Sequence, residues 1–212
     1  MRSFFDACIA EVDTALRVIA APASAPARKM PGPNDDTAVA APDRKGAVES
    51  ARLMRVNHTG EIAAQALYRG QAFVARDAAQ RARLLHAAAE EQDHLAWCEM
   101  RVAELGDRTS VLSPLWYGGS FAIGALAGLA GDGISLGFLA ETEQQVIDHL
   151  DGHLDRLPPD DKRSRGIVEQ MKLDEDAHRD SALQHGGVEL PGPVRATMRA
   201  TARVMTSVAY WL

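Results

Sequence analysis

Apolar side chains recur every three or four positions along most of this chain, which is the spacing of residues on one face of an α-helix. The alternation of apolar and polar residues that is typical of strands is almost absent, so the pattern predicts an all-α protein. Glycines and prolines fall between the periodic segments, where helices are expected to end. The predicted helices cover residues 3–20, 47–76, 79–105, 120–157, 161–185 and 194–212.

Residues 21–45 interrupt this pattern, because they are dominated by alanine, proline, glycine, asparagine and aspartate. Proline breaks helices, so we predict a flexible linker here, after an N-terminal amphipathic helix in residues 1–20. Residues 46–212 are expected to form one helical bundle that includes a C-terminal amphipathic helix. The long connection over 106–119 would let the third bundle helix start from the far end of the bundle.

The composition suits one globular domain with an N-terminal extension. Hydrophobic residues make up 46% and charged residues 25% of the 212 residues, as in an ordinary soluble or peripheral protein. The net charge of −6 gives no reason to expect nucleic-acid binding. Cys8 and Cys98 form no disulfide framework, so a reducing compartment is expected. Asp6, Glu11 and Asp13 in the first helix are not typical of a secretory signal.

A Glu-x-x-His motif occurs twice, as Glu91 with His94 and as Glu175 with His178. Residues three apart share a face of a helix, so each motif presents a carboxylate and an imidazole in the same direction. One such motif is weak evidence for a metal site, because glutamate and histidine also meet at this spacing by chance.

Each motif is preceded at a similar distance by a further glutamate. Glu61 lies 30 residues before Glu91, and Glu143 lies 32 residues before Glu175. Di-iron carboxylate bundles use this arrangement, with one glutamate from each of two helices and a Glu-x-x-His motif from each of the other two. The spacing therefore predicts a ferritin-like four-helix bundle around two metal ions, with additional N- and C-terminal helices.

The helical phase of the glutamates supports a buried site. Glu143 falls within the apolar stripe of its helix, whereas its neighbour Glu141 does not. Four carboxylates in a core would be costly without cations, and two divalent ions would balance their charge. Oxygen and imidazole donors without thiolate suit iron or manganese better than zinc. Any one of these glutamates alone could be a solvated helix residue, but the ordered set of six donors favours a metal centre.

Five stretches of the predicted bundle are distinctive. They are Arg55-Val-Asn-His-Thr-Gly-Glu61, Tyr68-Arg-Gly-Gln71, Glu90-Glu-Gln-Asp-His94, Trp116-Tyr-Gly-Gly-Ser120 and Asp174-Glu-Asp-Ala-His178. These stretches resemble those of the demethoxyubiquinone hydroxylases of ubiquinone biosynthesis, and the resemblance covers nearly all of residues 47–212. The proline-rich residues before 45 are not part of it.

The resemblance implies a set of ligands and a reaction. Glu91 and Glu175 would bridge two iron ions, and the implied ligand set is Glu61, Glu91, His94, Glu143, Glu175 and His178. The implied reaction is hydroxylation of the ring of a demethoxyubiquinol, a polyprenyl quinol, with O2 and electrons from NADH. The sequence carries no Gly-x-Gly-x-x-Gly fingerprint, so a Rossmann-type NADH site is not expected. Electron delivery through the bound quinone and delivery by a partner protein both stay open.

Four further residues are candidates for supporting the metal ligands. Glu90 and Asp174 each precede a bridging candidate, and we expect each to orient the histidine of the opposite half through its second ring nitrogen. Exposed helix charges are the alternative interpretation of both residues. Tyr68 and His149 are candidates for contacting the ligands or for delivering protons.

Two apolar surfaces indicate contact with a membrane. Residues 111–131 carry no charge and could span a bilayer by length, but their glycines favour a surface that dips into one leaflet. Arginines recur every four residues in the final helix, which is typical of a basic amphipathic helix at an anionic surface. We therefore expect peripheral attachment to the cytoplasmic side of the cell membrane through 111–140 and 194–212. Packing of the last helix against the bundle or another subunit is the alternative.

Two other functions are compatible with the same scaffold. The main alternative is a soluble ferritin-like protein that stores iron or handles peroxide, and the other is a quinone-binding protein without enzymatic activity. The apolar surface over 111–140 argues against iron storage, because a storage subunit needs no entry path for a lipid. Protein partners from quinone biosynthesis and a homo-oligomer stay open.

Overall fold

The computed structural model describes residues 4–20, 25–33 and 42–212. Regular structure within these residues is entirely helical, which confirms the all-α prediction. The helices are α1 (Phe4–Ala20), α2 (Arg44–Val74), α3 (Ala78–Glu104), α4 (Ser113–Leu129), α5 (Asp132–Arg156), α6 (Lys162–Gln184) and α7 (Gly192–Ala209).

The core of the bundle lies between α2, α3, α5 and α6. One apolar cluster receives Met54 from α2, Cys98 from α3, Leu150 from α5 and Met171 from α6. Helices α2 and α3 are joined by a short turn around Ala75, and α5 and α6 are also joined by a short turn. Each of these two pairs therefore forms an antiparallel hairpin. The bundle prediction is confirmed.

Aspartate side chains fix where three of these helices begin. The carboxylate of Asp43 accepts a hydrogen bond from the backbone N–H of Gly46 at the start of α2. Asp77 caps α3 and Asp161 caps α6 in the same way. These contacts satisfy backbone donors that have no partner within the first turn of a helix.

The prediction of one helix over 120–157 after a long connection was wrong. Helix α4 already begins at Ser113 and ends at Leu129, and α5 begins at Asp132. Gly131 separates them with a φ of +113°, a backbone conformation that side chains other than glycine rarely adopt. The uncharged stretch is therefore mostly a helix of its own rather than a loop that leads into the helix of Glu143.

The glycines of α4 allow it to pack closely along α2. A Cβ atom at Gly124 would lie 2.1 Å from the carbonyl oxygen of Leu67, and one at Gly70 would lie 2.1 Å from that of Phe121. Both positions exclude any side chain because the neighbouring atom belongs to the backbone. Helix α4 thus lies outside the four-helix core, against the outer side of α2.

The terminal segments pack on this frame. Helix α1 lies against α2 and α4, and Glu11 forms an ion pair with Arg69 at 2.9 Å. At the other end, Tyr210 donates a hydrogen bond to Glu49, at 2.5 Å. Residues 25–33 are not helical, as expected for the proline-rich segment, while 1–3, 21–24 and 34–41 lie outside the described residues. The flexibility of the linker stays a prediction.

Candidate metal centre

The structure brings all six predicted ligands together in the middle of the bundle. Helix α2 supplies Glu61, and α5 supplies Glu143. Helices α3 and α6 each supply one Glu-x-x-His motif, whose two members lie on the same face because they are separated by three residues. Five of the six are buried, and His178 is partly exposed.

The six side chains form two groups of four. In each group the ligand atoms lie within 4.8 Å of one another. Glu91 and Glu175 belong to both groups, and each group is completed by one further glutamate and one histidine. The first group, which we call the His94 position, contains Glu61, Glu91, His94 and Glu175. The second, the His178 position, contains Glu91, Glu143, Glu175 and His178.

The chemistry of these donors fits a pair of divalent cations. Both carboxylate oxygens of Glu91 and Nδ1 of His94 are buried without a hydrogen-bond partner among the described residues. The ion-pair partners of the four glutamates in the same residues are only the two histidines. Four carboxylates facing two imidazoles leave an excess of negative charge in a dry interior, which two divalent ions would balance. The cluster is compatible with a di-iron site.

The ionisation of the ligands reflects the same excess of negative charge. Burial raises the pKa of Glu61 to about 8, and the charges of Glu91 and Glu175 act in the same direction. Burial alone would lower the pKa of His178, but the carboxylates of Glu175 and Glu91 outweigh it and raise that pKa to about 12. Protons on the histidines therefore supply part of the positive charge that metal ions would otherwise provide.

Glu90 and Asp174 each contact the histidine of the opposite half of the bundle. Asp174 Oδ2 lies 2.9 Å from Nε2 of His94, and Glu90 Oε2 lies 3.1 Å from Nε2 of His178. A carboxylate that accepts a hydrogen bond from Nε2 leaves the lone pair of Nδ1 free for a metal. Burial alone would raise the pKa of Asp174. Hydrogen bonds with His94 and Arg28 outweigh burial and lower this pKa to about 2, so the carboxylate is ionised.

Tyr68 and His149 have different surroundings. The Tyr68 hydroxyl donates a hydrogen bond to Glu143 in the buried centre. His149 instead lies against His153, with ring centroids 3.9 Å apart, and is not one of the residues gathered at the metal positions. In the described part of the chain, Tyr68 therefore contacts a predicted ligand directly, whereas no such contact is seen for His149.

One residue beside the centre was not predicted from the sequence. Arg28, from the proline-rich segment, lies 2.8 Å from Asp174 and 2.9 Å from Asp93. The two carboxylates follow it by more than sixty positions, and no motif links them to it, so periodicity and spacing carry no signal for this contact.

A cavity of about 330 Å³ reaches the partly exposed side of the centre. Its lining includes His178 together with Leu84, Leu136, Leu139 and Ala182, and its charged lining includes Arg28, Arg83 and Glu90. The His178 position is therefore accessible from outside the bundle, whereas His94 is fully buried.

Comparison with known proteins gives consistent results over the whole chain. A family model described as "Ubiquinone biosynthesis protein COQ7" matches residues 48–209. A 3-demethoxyubiquinol 3-hydroxylase of Bordetella petrii is 57% identical over 211 residues, covering 100% of this chain and 93% of the relative. Relatives with the same name from Ralstonia pickettii and Azoarcus sp. are each 55% identical, covering 97% of this chain and 98% of their own length.

Proposed function

Because the chain belongs to the COQ7 family of ubiquinone biosynthesis proteins, we propose that it is a 3-demethoxyubiquinol 3-hydroxylase. The family inferred from the sequence motifs is confirmed, and the chain is a hydroxylase of ubiquinone biosynthesis. The proposed substrate is the ring of a polyprenyl quinol, which receives one oxygen atom from O2.

One observation carries this proposal, namely that six donors from four helices gather into two groups that share two glutamates. We propose that the His94 position and the His178 position each hold one iron ion. Since Glu91 and Glu175 belong to both groups, they are proposed to bridge the two ions. Iron ions held by these residues would supply the chemistry of O2 activation.

The protein itself encloses part of the centre with apolar side chains and holds the ligands in place. The apolar residues on one side of the centre include Ala64, Leu84, Ala88 and Leu139, all of which are buried. A dry surrounding strengthens the attraction between the carboxylates and cations. Tyr68, Glu90 and Asp174 are proposed to orient individual ligands through the hydrogen bonds described above.

The electrons are proposed to derive from NADH. The absence of a Gly-x-Gly-x-x-Gly fingerprint argues against a Rossmann-type site on this chain. The cavity beside His178 offers small molecules access to the partly exposed half of the centre. Delivery of the electrons through a bound quinone and delivery by a partner protein are both compatible with this geometry.

An apolar surface on α1 and α4 supports peripheral attachment to a membrane. Solvent-exposed apolar side chains on these two helices are Phe5, Ile9, Val12, Leu16, Leu115, Ile123, Leu126 and Leu129. Side chains of this size are costly to expose in such number, so we propose that this surface enters the lipid headgroup region. None of the helices in the described residues is long and apolar enough to cross a bilayer.

The final helix contributes less apolar surface than its sequence pattern predicts. Met198, Met205 and Val208 of α7 are partly buried against the bundle, whereas Val204 and Trp211 are exposed. The helix thus packs on the bundle with one face, and attachment through 194–212 to the cytoplasmic side of the cell membrane stays a proposal.

The deciding experiment is product analysis with the iron-loaded protein. The protein is loaded with iron anaerobically and then mixed with a demethoxyquinol that has a short isoprenoid tail, NADH, an electron mediator and ¹⁸O2. We expect one ¹⁸O atom in a ring hydroxyl group, and no product from a Glu143→Ala variant, which lacks one ligand of the His178 position. Consumption of O2 with accumulation of ferric iron but no hydroxylated ring would instead indicate iron storage.

A further inference from the structure

The proline-rich segment 25–33 is seated against α3 and α6 beside the metal centre. Met30 is buried in the apolar core cluster, and Arg163 of α6 donates a hydrogen bond to the carbonyl oxygen of Pro33 at 3.0 Å. Gly32 has a φ of +86°. A Cβ atom at Gly166 of α6 would lie 2.9 Å from the Cα atom of Gly32, so the two backbones are in close contact. Through these contacts residues 25–33 pack on the bundle.

Arg28 binds α3 through both its backbone and its side chain. The N–H groups of Ala27 and Arg28 donate hydrogen bonds to Asp93 at 2.6 and 3.2 Å, and Nε of Arg28 donates to the same carboxylate at 2.9 Å. The guanidinium lies over the ring of Trp97, 4.8 Å from its centroid, and Nε1 of Trp97 donates to the carbonyl oxygen of Arg28 at 3.3 Å. These contacts orient the planar side chain, although 44% of it is exposed.

The same guanidinium reaches across to α6. Its Nη1 atom lies 2.8 Å from Oδ2 of Asp174, the carboxylate that contacts Nε2 of His94. Nδ1 of His94 lies 2.9 Å from Glu91 and 3.1 Å from Glu175, so it is the ring nitrogen that points toward the other ligands. A nitrogen binds a metal only through an unprotonated lone pair. With a metal on Nδ1, the ring proton would sit on Nε2, and this N–H group would donate a hydrogen bond to Asp174. Arg28 thus fixes the residue that selects the tautomer of this histidine.

The other histidine has no comparable support. The ion-pair partners of Glu90 among the described residues are two histidines, His178 at 3.1 Å and His86 at 3.6 Å. The Glu90 side chain is 46% exposed, whereas that of Asp174 is 19% exposed. Because water competes for an exposed carboxylate, the orientation of His178 is less firmly set than that of His94.

We propose that Arg28 is a positioning residue that strengthens the His94 position selectively over the His178 position. It does so by tying Asp93 of α3 to Asp174 of α6 and holding Asp174 on the second nitrogen of His94. The proposal rests on the metal centre of the proposed function, but it does not depend on the identity of the substrate. It assigns a role to a segment that lies outside the match to the family model.

The test measures each metal position separately with Co²⁺, whose absorption spectrum reports its ligands. The full-length protein is titrated anaerobically in two backgrounds, His178→Ala, which keeps the His94 position, and His94→Ala, which keeps the other. We expect Arg28→Ala to raise the Kd for Co²⁺ about 10- to 100-fold in the first background, the range found for residues that orient metal ligands. In the second background we expect the Kd to change by less than about twofold, because His94→Ala removes the contact between Asp174 and His94 through which Arg28 acts.

Two variants control for general damage to the segment. Lys29→Ala removes the charge of an exposed neighbour and is expected to leave both Kd values unchanged. Arg28→Lys keeps the charge but cannot form the same fork of contacts, so partial recovery of the affinity and of the Co²⁺ spectrum is expected. Equal weakening in both backgrounds, or no weakening in either, would overturn the role of Arg28. Failure of the unmodified protein to bind two Co²⁺ ions would overturn the metal centre itself, and the role of Arg28 with it.

Discussion

Tyr68 of α2 donates a hydrogen bond from its hydroxyl group to Oε1 of Glu143 on α5, and both residues are fully enclosed by the bundle. The contact joins one helix of each hairpin at the level of the His178 position. Burying a carboxylate costs free energy, and a hydrogen bond from a buried donor offsets part of that cost. Without the Tyr68 hydroxyl, Glu143 would remain buried but would lose this hydrogen bond. The orientation of Glu143 therefore depends on a residue that does not itself belong to either group of ligands.

We expect Tyr68→Phe to weaken metal binding at the His178 position about 10-fold or more, because the ligand Glu143 becomes less well oriented. Titration with Co²⁺ in the His94→Ala background measures this position alone. Tyr117→Phe serves as the control, since Tyr117 is buried on α4 in a separate apolar cluster. Equal affinity of the two variants would show that the hydroxyl of Tyr68 has no part in holding Glu143.

Metal removal is expected to reveal the cost of the buried carboxylates. The pKa of Glu61 is raised to about 8 in the folded, metal-free protein, against an ordinary value of 4.5. A carboxyl group whose pKa is raised by folding destabilises the fold increasingly as the pH rises from the unfolded to the folded value. Glu61→Gln should therefore stabilise the metal-free protein by roughly 2–3 kcal/mol at pH 7.

Urea unfolding in the presence of a chelator measures this effect. The advantage of Glu61→Gln should shrink as the pH falls through 4.5, because below that value the carboxyl group is largely protonated in both the folded and the unfolded state. Glu169→Gln, on the exposed side of α6, is the control and should change the free energy of unfolding by less than about 0.5 kcal/mol. A metal-free Glu61→Gln protein that is less stable than the unmodified chain at pH 7 would contradict the prediction.

The close contact between α2 and α4 predicts opposite effects for two glycines of α4. Gly124→Ala places a Cβ atom 2.1 Å from a backbone oxygen of α2, so the helices must separate, at a cost of about 3 kcal/mol or more. Gly119→Ala meets no atom within 4 Å and should stabilise the helix by about 0.5–1 kcal/mol. Thermal unfolding of the two variants provides the comparison, and similar Tm values would rule out the tight packing described for this interface.

His149, a partly buried histidine outside the metal centre, predicts sensitivity to acid. Burial, with the charge of Arg156, lowers the pKa of His149 from 6.5 to about 4. A base whose pKa is lowered by folding favours the folded state above pH 6.5, and this contribution is lost as the pH falls toward 4. The loss amounts to about 3 kcal/mol for this residue.

His149→Gln should therefore flatten the decline in the free energy of unfolding between pH 6.5 and 4. The exposed His86 provides a matched control, because His86→Gln removes a histidine whose side chain is 73% exposed. Unfolding curves at several pH values measure the difference between the variants. Parallel curves for His149→Gln and the unmodified protein would refute the prediction.

The apolar surface of α1 and α4 predicts binding to vesicles that contain anionic lipid. Leu126→Glu introduces a charge at a position of this surface that is 68% exposed, and should reduce cosedimentation with vesicles several-fold. Leu173→Glu makes the same change on α6, at a position that is 65% exposed, and should have little effect. Equal recovery of all three proteins with the vesicles would show that the lipid does not contact α4.

Much of the metal centre could be predicted from the sequence because its signals are local. A Glu-x-x-His motif places both groups on one helical face wherever the helix lies, and the similar spacing before each motif matches the length of one helix and a turn. The phase of Glu143 within an apolar stripe likewise indicated that it points inward. Whether each of the six residues binds metal stays a prediction, while their convergence follows from the structure.

The errors and omissions concern contacts that no local pattern encodes. The uncharged stretch gave no sign that Gly131 would adopt a φ of +113° and divide one predicted helix into two. Arg28 meets Asp174 only because the segment that carries it crosses both α3 and α6.

The helical class of this protein and the inward direction of the six candidate ligands could be predicted from the amino-acid pattern, since both depend on a repeat of three to four residues. The division of the helices, the close approach of α4 to α2 and the contact of Arg28 with Asp174 could be seen only in the folded protein. These features depend on atoms that are distant along the chain and adjacent in space, where packing and charge rather than periodicity set the arrangement.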